Sequence, residues 1–216
     1  MTVGFFCYTH FNTSSSSPPN LRLTMASIAM MDQTNELLQK FHAAMAILGS
    51  ADSIDAHRYD AILVIRATGA HYQRLGDEGN AAYFFQIAAE FGDPTAMCEW
   101  GWCLMKGSGI PKDKKRAIAL YRASADLNNP GAQDFLGMFL LDINGEENCS
   151  EMQLQRNQEE AIIWFSRAVK QGYSNSQINL AYCYQHGLGI AKNKPESLRL
   201  LRLAAEQGTG MAWLYC

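Results

Sequence analysis

Cys183 and His186 are residues whose types and spacing could support catalysis. A thiol and an imidazole three positions apart on a helix can share a face, as a nucleophile and its base would. No third group that could orient the imidazole recurs nearby, and the five histidines form no metal pattern or Ser-His-Asp arrangement. Two interpretations are therefore open: a thiol-dependent enzyme or metal site, or a buried cysteine beside a surface histidine. We favour the second and expect no catalytic residue, cofactor or metal.

A second candidate for chemistry is "MKGSGIPKDKKRA", at 105–117, which has the composition of a glycine-rich phosphate loop followed by a basic run. Such a loop normally occurs once in a site, because its backbone N–H groups converge on one anion. Here the pattern returns 80 residues later as "QHGLGIAKNKPES", at 185–197. The recurrence indicates a turn between two helices, in which glycines relax the backbone, isoleucine enters the core and the lysines stay solvated.

The elements that position these residues repeat along the chain. Gly92, Asn128, Gly172 and Gly208 mark successive units and lie 36, 44 and 36 residues apart, so the unit is a 36-residue repeat with one insertion, near 145–152. Small residues recur four and nine positions after the markers, where neighbouring helices can approach closely. An Asp or Asn precedes a second apolar pattern at i, i+4 and i+8, as at the N-cap of an amphipathic helix.

Each unit is therefore predicted to contain an A helix, a turn and a B helix. We place the A helices at 54–74, 95–106, 131–142 and 175–186, and the B helices at 78–91, 114–127, 158–171 and 194–207. Asn157 with Glu160, and Asn193 with Glu196, have the spacing of a capping box at the start of a B helix. A further helix over 33–48, beginning after an aspartate, is expected to cap the array.

The ends of the chain differ from the repeats. We predict a disordered leader over 1–31, a capping helix and linker over 32–55, and repeats over 56–216. An organellar transit peptide and a start at Met25 are alternatives for the leader. The closing residues, "GTGMAWLYC", begin a fifth unit that stops at Cys216. They either fold back as a cap or indicate a fragment of a longer array.

Composition narrows the class of protein. A formal net charge of −3 and a pI near 5.9 give no basic stripe for nucleic acid. No stretch reaches the roughly 18 apolar residues of a membrane span, so we expect no membrane insertion. The six cysteines form no C-x-x-C and indicate reduced, mostly buried thiols rather than a disulfide framework or zinc site. These features favour a cytoplasmic protein.

Two units carry the shared motifs most fully: "GDPTAMCEWGWCLMKGSGIPKDKKRAIALYRASADLN" and "GYSNSQINLAYCYQHGLGIAKNKPESLRLLRLAAEQG". They resemble Sel-one-like repeats, the α/α relatives of tetratricopeptide repeats, and the resemblance extends over about 56–216. It implies an all-α fold, a right-handed α/α superhelix or solenoid of antiparallel helix pairs, with the A helices on the concave surface. It also implies a scaffold or adaptor that binds protein partners. Cysteine-rich bacterial members pair a helix A cysteine with one in helix B, whereas Cys98, Cys103 and Cys183 all fall on A helices.

A stripe on the A helices is the candidate binding site. Its positions lie seven, ten and fourteen residues after each marker, spacings that share one helix face. The stripe comprises Glu99, Trp102, Lys106, Phe135, Met138, Asp142, Asn179, Tyr182 and His186. Aromatic and methionine side chains beside charges suit the anchoring of a protein partner. The alternative is that Phe135, Met138 and Tyr182 only fill the contact between adjacent A helices. Trp102 resists that explanation, because Trp100 already takes the core position.

Overall fold

The computed structural model describes residues 25–50, 55–142 and 150–208, and all their regular structure is helical. The helices are α1 Met25–Gly49, α2 Asp55–Arg74, α3 Glu78–Glu90, α4 Pro94–Lys106, α5 Lys114–Asp126, α6 Pro130–Asp142, α7 Glu151–Lys170, α8 Ser174–His186 and α9 Lys194–Glu206. The all-α prediction is thereby confirmed for these residues. The predicted leader up to residue 24, the loop of the insertion at 143–149 and the closing segment from residue 209 lie outside the described residues.

The chain divides into two units, Met1–Glu36 and Leu37–Cys216, and the boundary falls inside α1. The first unit contributes only the N-terminal part of α1 to the described residues. Helix α1 begins at Met25, ahead of the predicted start after Asp32. In the second unit, the ring of Phe41 on α1 meets the ring of Phe84 on α3 edge-on, with 4.9 Å between centroids. That this helix caps the array stays a prediction.

Helices α2 to α9 form four consecutive pairs, and each helix packs against its neighbours along the chain. The A helices are α2, α4, α6 and α8, and the B helices are α3, α5, α7 and α9. Every predicted end in this series lies within one residue of the observed end, except the start of α7. This agreement reflects strong local signals at both ends of the helices. An Asp or Asn N-cap begins three of the B helices, and a residue with positive φ follows the end of each of these three.

The start of α7 was predicted wrongly. This helix begins at Glu151, and the side chain of Ser150 caps it by accepting a hydrogen bond from the backbone N–H of Gln153 at 3.2 Å. Asn157, the predicted N-cap, is buried inside the helix, where its Oδ1 accepts from Gln153 Nε2 at 2.8 Å. Periodicity continues upstream of Asn157 into the insertion, so the inserted residues extend the helix by about two turns.

Small residues on the A helices face large residues on the B helices of the same pair. A Cβ added to Gly137 would lie 2.5 Å from the ring of Phe165, and one added to Gly101 would lie 3.1 Å from Tyr121. In the fourth pair the small residue is Ala181, and the B helix carries Leu201 instead of an aromatic residue. The predicted contact points between helices are therefore confirmed, because a small residue of the A helix lies where the B helix places a large side chain.

Each glycine-rich turn connects the A and B helices of one pair and packs against the B helix of the preceding pair, so no space is left there for an anion. Gly107 ends α4 in the left-handed conformation, and Gly109, with φ of 71°, lies against the first turn of α3. A Cβ on Gly109 would lie 2.3 Å from the backbone carbonyl carbon of Glu78. Gly189 approaches the backbone of Gln158 on α7 in the same way. The space beside the second glycine of each motif is filled by the B helix of the preceding pair.

Gly109→Ala is expected to destabilise the protein far more than Gly76→Ala. Both glycines have similar positive φ, but nothing lies within 4 Å of a Cβ at Gly76. Gly76→Ala should therefore show only the backbone cost of about 1 kcal/mol. Gly109→Ala adds a clash with backbone and should lower the free energy of unfolding by a further 1–3 kcal/mol or so. Urea unfolding followed by circular dichroism measures both, and equal losses would contradict the close approach.

Candidate functional site

The predicted site residues lie on three neighbouring A helices. Glu99, Trp102 and Lys106 belong to α4, Phe135, Met138 and Asp142 to α6, and Asn179, Tyr182 and His186 to α8. Helix α6 contacts both α4 and α8 directly. The folded chain thus brings together residues that are up to 87 positions apart in sequence, although Asp142 ends α6 and its side chain lies outside the described residues.

Trp102 and Phe135 form the centre of this surface. Their ring centroids are 5.4 Å apart, and Phe135 also stacks on Tyr121 of α5 at 5.0 Å. Tyr121 is buried, whereas Trp102 is only half-buried and Met138 is 38% exposed. Phe135 therefore fills the contact between α4, α5 and α6, whereas Trp102 and Met138 remain partly open to solvent, and their role in binding a partner stays a prediction.

Beside these residues lies a depression of about 610 Å³ between α4, α5 and α6. Its lining consists of Trp102, Met105, Lys106, Lys112, Lys114, Tyr121, Phe135, Met138 and Phe139. The depression is mainly aromatic and aliphatic at its base, with three lysines at its border. A cleft of this volume can accommodate one or two bulky side chains of a partner.

The lysines of the depression lie over aromatic rings. Lys106 Nζ is 4.7 Å from the ring centroid of Trp102, and Lys114 Nζ is 5.3 Å from that of Phe139. Within the described part of the chain, no carboxylate lies at ion-pair distance from either ammonium group or from Lys112. Sequence reasoning assigned Lys112 and Lys114 to a solvated face and did not single out Phe139. The recurrence of the two lysines at positions 192 and 194 is the feature of the sequence that could have singled them out.

Asn179 has a structural contact that the sequence did not indicate. Its Nδ2 donates to Oδ1 of Asp134 at 2.9 Å, and the same oxygen accepts from Ser176 Oγ at 2.6 Å. Asp134 is buried on α6, while the two donors belong to α8. Burial raises the pKa of the Asp134 carboxyl, and the two hydrogen bonds oppose that rise. This cluster links two adjacent A helices through a desolvated carboxyl group.

Glu99 is half-buried where α4 faces α2. Burial raises the pKa of its carboxyl, opposed by a hydrogen bond from Gln73 and the positive charge of Arg66. Arg66 also pairs with Asp93 at 3.2 Å, and Asp93 caps α4 by accepting from the backbone N–H of Ala96 at 2.6 Å. The Glu99 carboxylate thus already interacts with Gln73 and Arg66 within the fold.

Tyr182 and His186 lie together on the exposed face of α8. Their ring centroids are 4.3 Å apart, and Tyr182 is 49% exposed. A smaller depression of about 380 Å³ opens between α8 and α9, where Lys192 and Lys194 contribute to the lining. The fourth unit therefore has the same residue types in sequence as the second, but Tyr182 and His186 do not line its depression, where the aromatic residue is Tyr184.

Cys183 is fully buried, and burial raises the pKa of its thiol to about 12. A thiol of this kind stays protonated at neutral pH and is a poor nucleophile. His186 is exposed beside Tyr182. Among the described residues, no group of three or more His, Cys, Asp or Glu is placed to hold a metal ion. None of the helices in the described ranges has the length and apolarity needed to cross a membrane.

A family model described as "Sel1 repeat" matches residues 68–93, 94–129, 145–173 and 174–209, more than half of the chain. A crystal structure of a Sel1 repeat protein from Oxalobacter formigenes superposes with a TM-score of 0.59 at 21% identity, covering 84% of this chain and 71% of that one. This likeness confirms the helical solenoid fold.

Two curated relatives match at the sequence level. The "DAP3-binding cell death enhancer 1" of Rattus norvegicus is 29% identical over 65% of this chain and 33% of its own length. The "Chitin synthase regulatory factor 3" of Schizosaccharomyces pombe is 26% identical over 57% of this chain and 13% of its own length. This chain therefore spans a third or less of the length of these relatives.

Asp134→Ala is expected to destabilise the protein by about 1–3 kcal/mol at neutral pH, because Ser176 and Asn179 lose their buried acceptor. Asp134→Asn keeps an acceptor oxygen and removes the desolvated charge, so its loss should be much smaller. The pKa of the Asp134 carboxyl is raised in the folded protein above its unfolded value near 3.8, so folding favours the protonated form. The stability that this preference adds is fully present below pH 3.8 and is lost as the pH rises through the folded-state pKa, whereas the hydrogen bonds from Ser176 and Asn179 remain.

Urea unfolding at several pH values measures this effect. The difference in unfolding free energy between wild type and Asp134→Asn should shift in favour of wild type as the pH falls from neutral toward 3.8. A difference that does not change with pH would mean that the pKa of the carboxyl is not raised in the folded protein.

The described cysteines are expected to resist alkylation while the protein is folded. Burial raises the pKa of the Cys98 and Cys183 thiols to about 12 and that of Cys103 to about 11. Treatment with iodoacetamide at neutral pH, followed by peptide mass spectrometry, should leave these three sites unmodified until urea is added. Rapid labelling of Cys183 in the folded protein would revive the thiol-enzyme alternative.

Proposed function

The chain belongs to the Sel1 repeat family, and we propose that it is a noncatalytic scaffold or adaptor that binds a protein partner through its A helices. The observation that carries this proposal is the open aromatic surface on α4, α6 and α8. Trp102, Met138 and Tyr182 are all partly or largely exposed there, although each could have been used for packing. Trp and Tyr are common anchors of protein interfaces, and Met adapts to irregular surfaces.

The close approach of the A helices supports this face as the concave one. Helix α6 contacts both α4 and α8, whereas the B helices of the described pairs do not approach one another to the same extent. In a stack of helix pairs, the helices that come closer together line the inner, concave side. A concave surface can enclose a partner segment and bury more of its area than an isolated exposed side chain would.

The B helices also carry exposed apolar residues, but these are separated. Tyr83 on α3 and Ile163 on α7 are 54% and 52% exposed. Single exposed apolar residues are common on protein surfaces and need no partner. The A helices instead place Trp102, Phe135 and Met138 around one depression. An interface needs such a cluster, because anchors contribute most when their surroundings exclude water.

The names of the two curated relatives are compatible with an adaptor. One is named for binding another protein and the other for regulating an enzyme. Because this chain spans a third or less of each relative, their partners are not assigned to it. A cytoplasmic location belongs to the proposal as well, since the buried free thiols of Cys98, Cys103 and Cys183 suit a reducing compartment.

Tyr182→Ala is expected to lose a partner that Tyr83→Ala retains. The two tyrosines have nearly equal exposure, 49% and 54%, but lie on an A helix and a B helix respectively. Truncating a central interface anchor costs about 2 kcal/mol, or roughly thirtyfold in affinity. Trp102→Ala should show the same loss. Quantitative capture from native lysate with the full chain as bait, followed by mass spectrometry, measures the enrichment of each protein.

Circular dichroism must first show that all baits are equally helical. Loss of the same enriched protein from Tyr182→Ala and Trp102→Ala baits supports the A-helix site. Equal recovery by all four baits would remove these residues from the interface. Selective loss from Tyr83→Ala would transfer the interface to the B helices.

A further inference from the structure

We propose that the depression between α4, α5 and α6 binds an acidic partner segment in which one bulky apolar side chain is flanked by carboxylates. This inference rests on the proposed function and specifies the chemistry of its partner. The apolar side chain would lie against Trp102, Phe135 and Met138, and the carboxylates would meet Lys106, Lys112 and Lys114. All six residues line the same depression.

The apolar part of the depression is preformed yet adaptable. Phe135 is held by Trp102 on one side and by Tyr121 on the other, so its ring has a fixed place. Met138 is exposed at the edge, where its flexible thioether can adjust to the shape of an incoming side chain. A fixed aromatic floor reduces the entropy that binding would otherwise cost, while the methionine tolerates different aliphatic or aromatic residues.

The charged part is not neutralised within the described residues. Among the residues that the structure describes, Lys106 and Lys114 have ring contacts but no ion pair, and contacts of exposed ammonium groups with rings are weak. Asp113, the nearest acid in sequence, is engaged as the N-cap of α5 through the N–H of Arg116 at 3.0 Å. The lysine side chains can therefore turn toward a partner without breaking a strong bond. Their positive charge is complementary to an acidic segment.

The basic run stands out against the charge of the whole chain. The protein has a formal net charge of −3, yet five cations and a single acid occur between Lys106 and Arg116. Such a local excess of one sign steers a partner of the opposite sign and fixes its orientation. Because an acidic segment is repelled by most of the chain, this run would also decide where on the array the segment binds.

The cations that border the depression are lysines, whose ammonium groups are compact point charges on flexible stems. Each can meet one carboxylate through a single contact, and none offers the paired donors of a guanidinium group. The nearest arginine, Arg116, lies over the ring of Trp100 at 4.4 Å and is not part of the lining. Three separate ammonium groups instead match several carboxylates distributed along a peptide.

The fourth unit repeats these residue types 80 residues later, but it does not repeat the depression that they line in the second unit. Tyr182, His186, Lys192 and Lys194 occupy the positions of Trp102, Lys106, Lys112 and Lys114. Its depression is smaller, at about 380 Å³. Neither Tyr182 nor His186 lines that depression, where Tyr184, Leu198 and Leu201 stand beside the two lysines, so we assign the acidic segment to the second unit alone.

The decisive experiment compares Met138→Glu with Met138→Lys in the full chain. Both substitutions remove the same thioether from an exposed position, and they differ only in the charge placed among the lysines. The probe is a short fluorescein-labelled peptide with one phenylalanine flanked on both sides by glutamates, and fluorescence anisotropy reports its binding. We expect Met138→Glu to bind at least about tenfold more weakly than Met138→Lys, with the difference shrinking at high salt.

Two matched controls separate this site from general attraction to anions. Lys106→Gln with Lys114→Gln should weaken binding, whereas Arg122→Gln with Lys170→Gln removes the same charge from exposed positions outside both the lining and the basic run and should not. A peptide with glutamine in place of glutamate, and one with serine in place of phenylalanine, should both bind more weakly. Equal affinity for either control peptide, or for the two Met138 variants, would overturn the inference.

Failure of this inference and failure of the proposed function give different results. If the wild-type protein does not bind the acidic peptide, the acidic-partner inference is overturned. The proposed function still stands in that case when Tyr182→Ala loses a partner that Tyr83→Ala keeps. If both experiments are negative, neither the chemistry of the partner nor the A-helix site survives.

Discussion

In the first three helix pairs, an aromatic ring of the B helix lies against a glycine of the A helix, where a larger side chain has no room. The ring of Phe165 packs on Gly137 and that of Tyr121 on Gly101. These contacts set the distance between the two helices of a pair, because interiors are packed closely and a single methyl group is felt. They also turn the A helices so that the positions one and five residues beyond the small residue, such as Trp102 and Lys106, remain on the open face.

The packing of one pair on the next depends on a second close approach. The turn after α4 lies against the first turn of α3, and only a glycine at position 109 leaves space for that backbone. The same contact recurs at Gly189 and α7. Together the two kinds of contact explain why glycines that look like a phosphate loop are structural. The lysines that follow them stay outside the packed interface and become the border of a depression.

Charged groups on or beside the A helices have two different roles. Asp134 is buried and bonded to Ser176 and Asn179, so it links α6 to α8 and is not available to a partner. Lys106 and Lys114 are exposed over aromatic rings and keep their charge available. The difference lies in desolvation: a buried charge is stabilised only by its bonds within the fold, whereas an exposed ammonium group can exchange water for a carboxylate.

The sequence by itself determined the helices, their pairing and the repeat, because N-caps, glycine stops and apolar periodicity are local signals. It misplaced the start of α7, since Asn157 has the residue type and spacing of a cap but lies inside a helix that Ser150 begins. Only the tertiary structure decided which residues share a surface. Lys112, Lys114 and Phe139 join Trp102 through packing of α5 and α6 on α4, and Asn179 meets Asp134 across 45 residues. Contacts between units depend on how whole helices pack, and no local pattern contains that information.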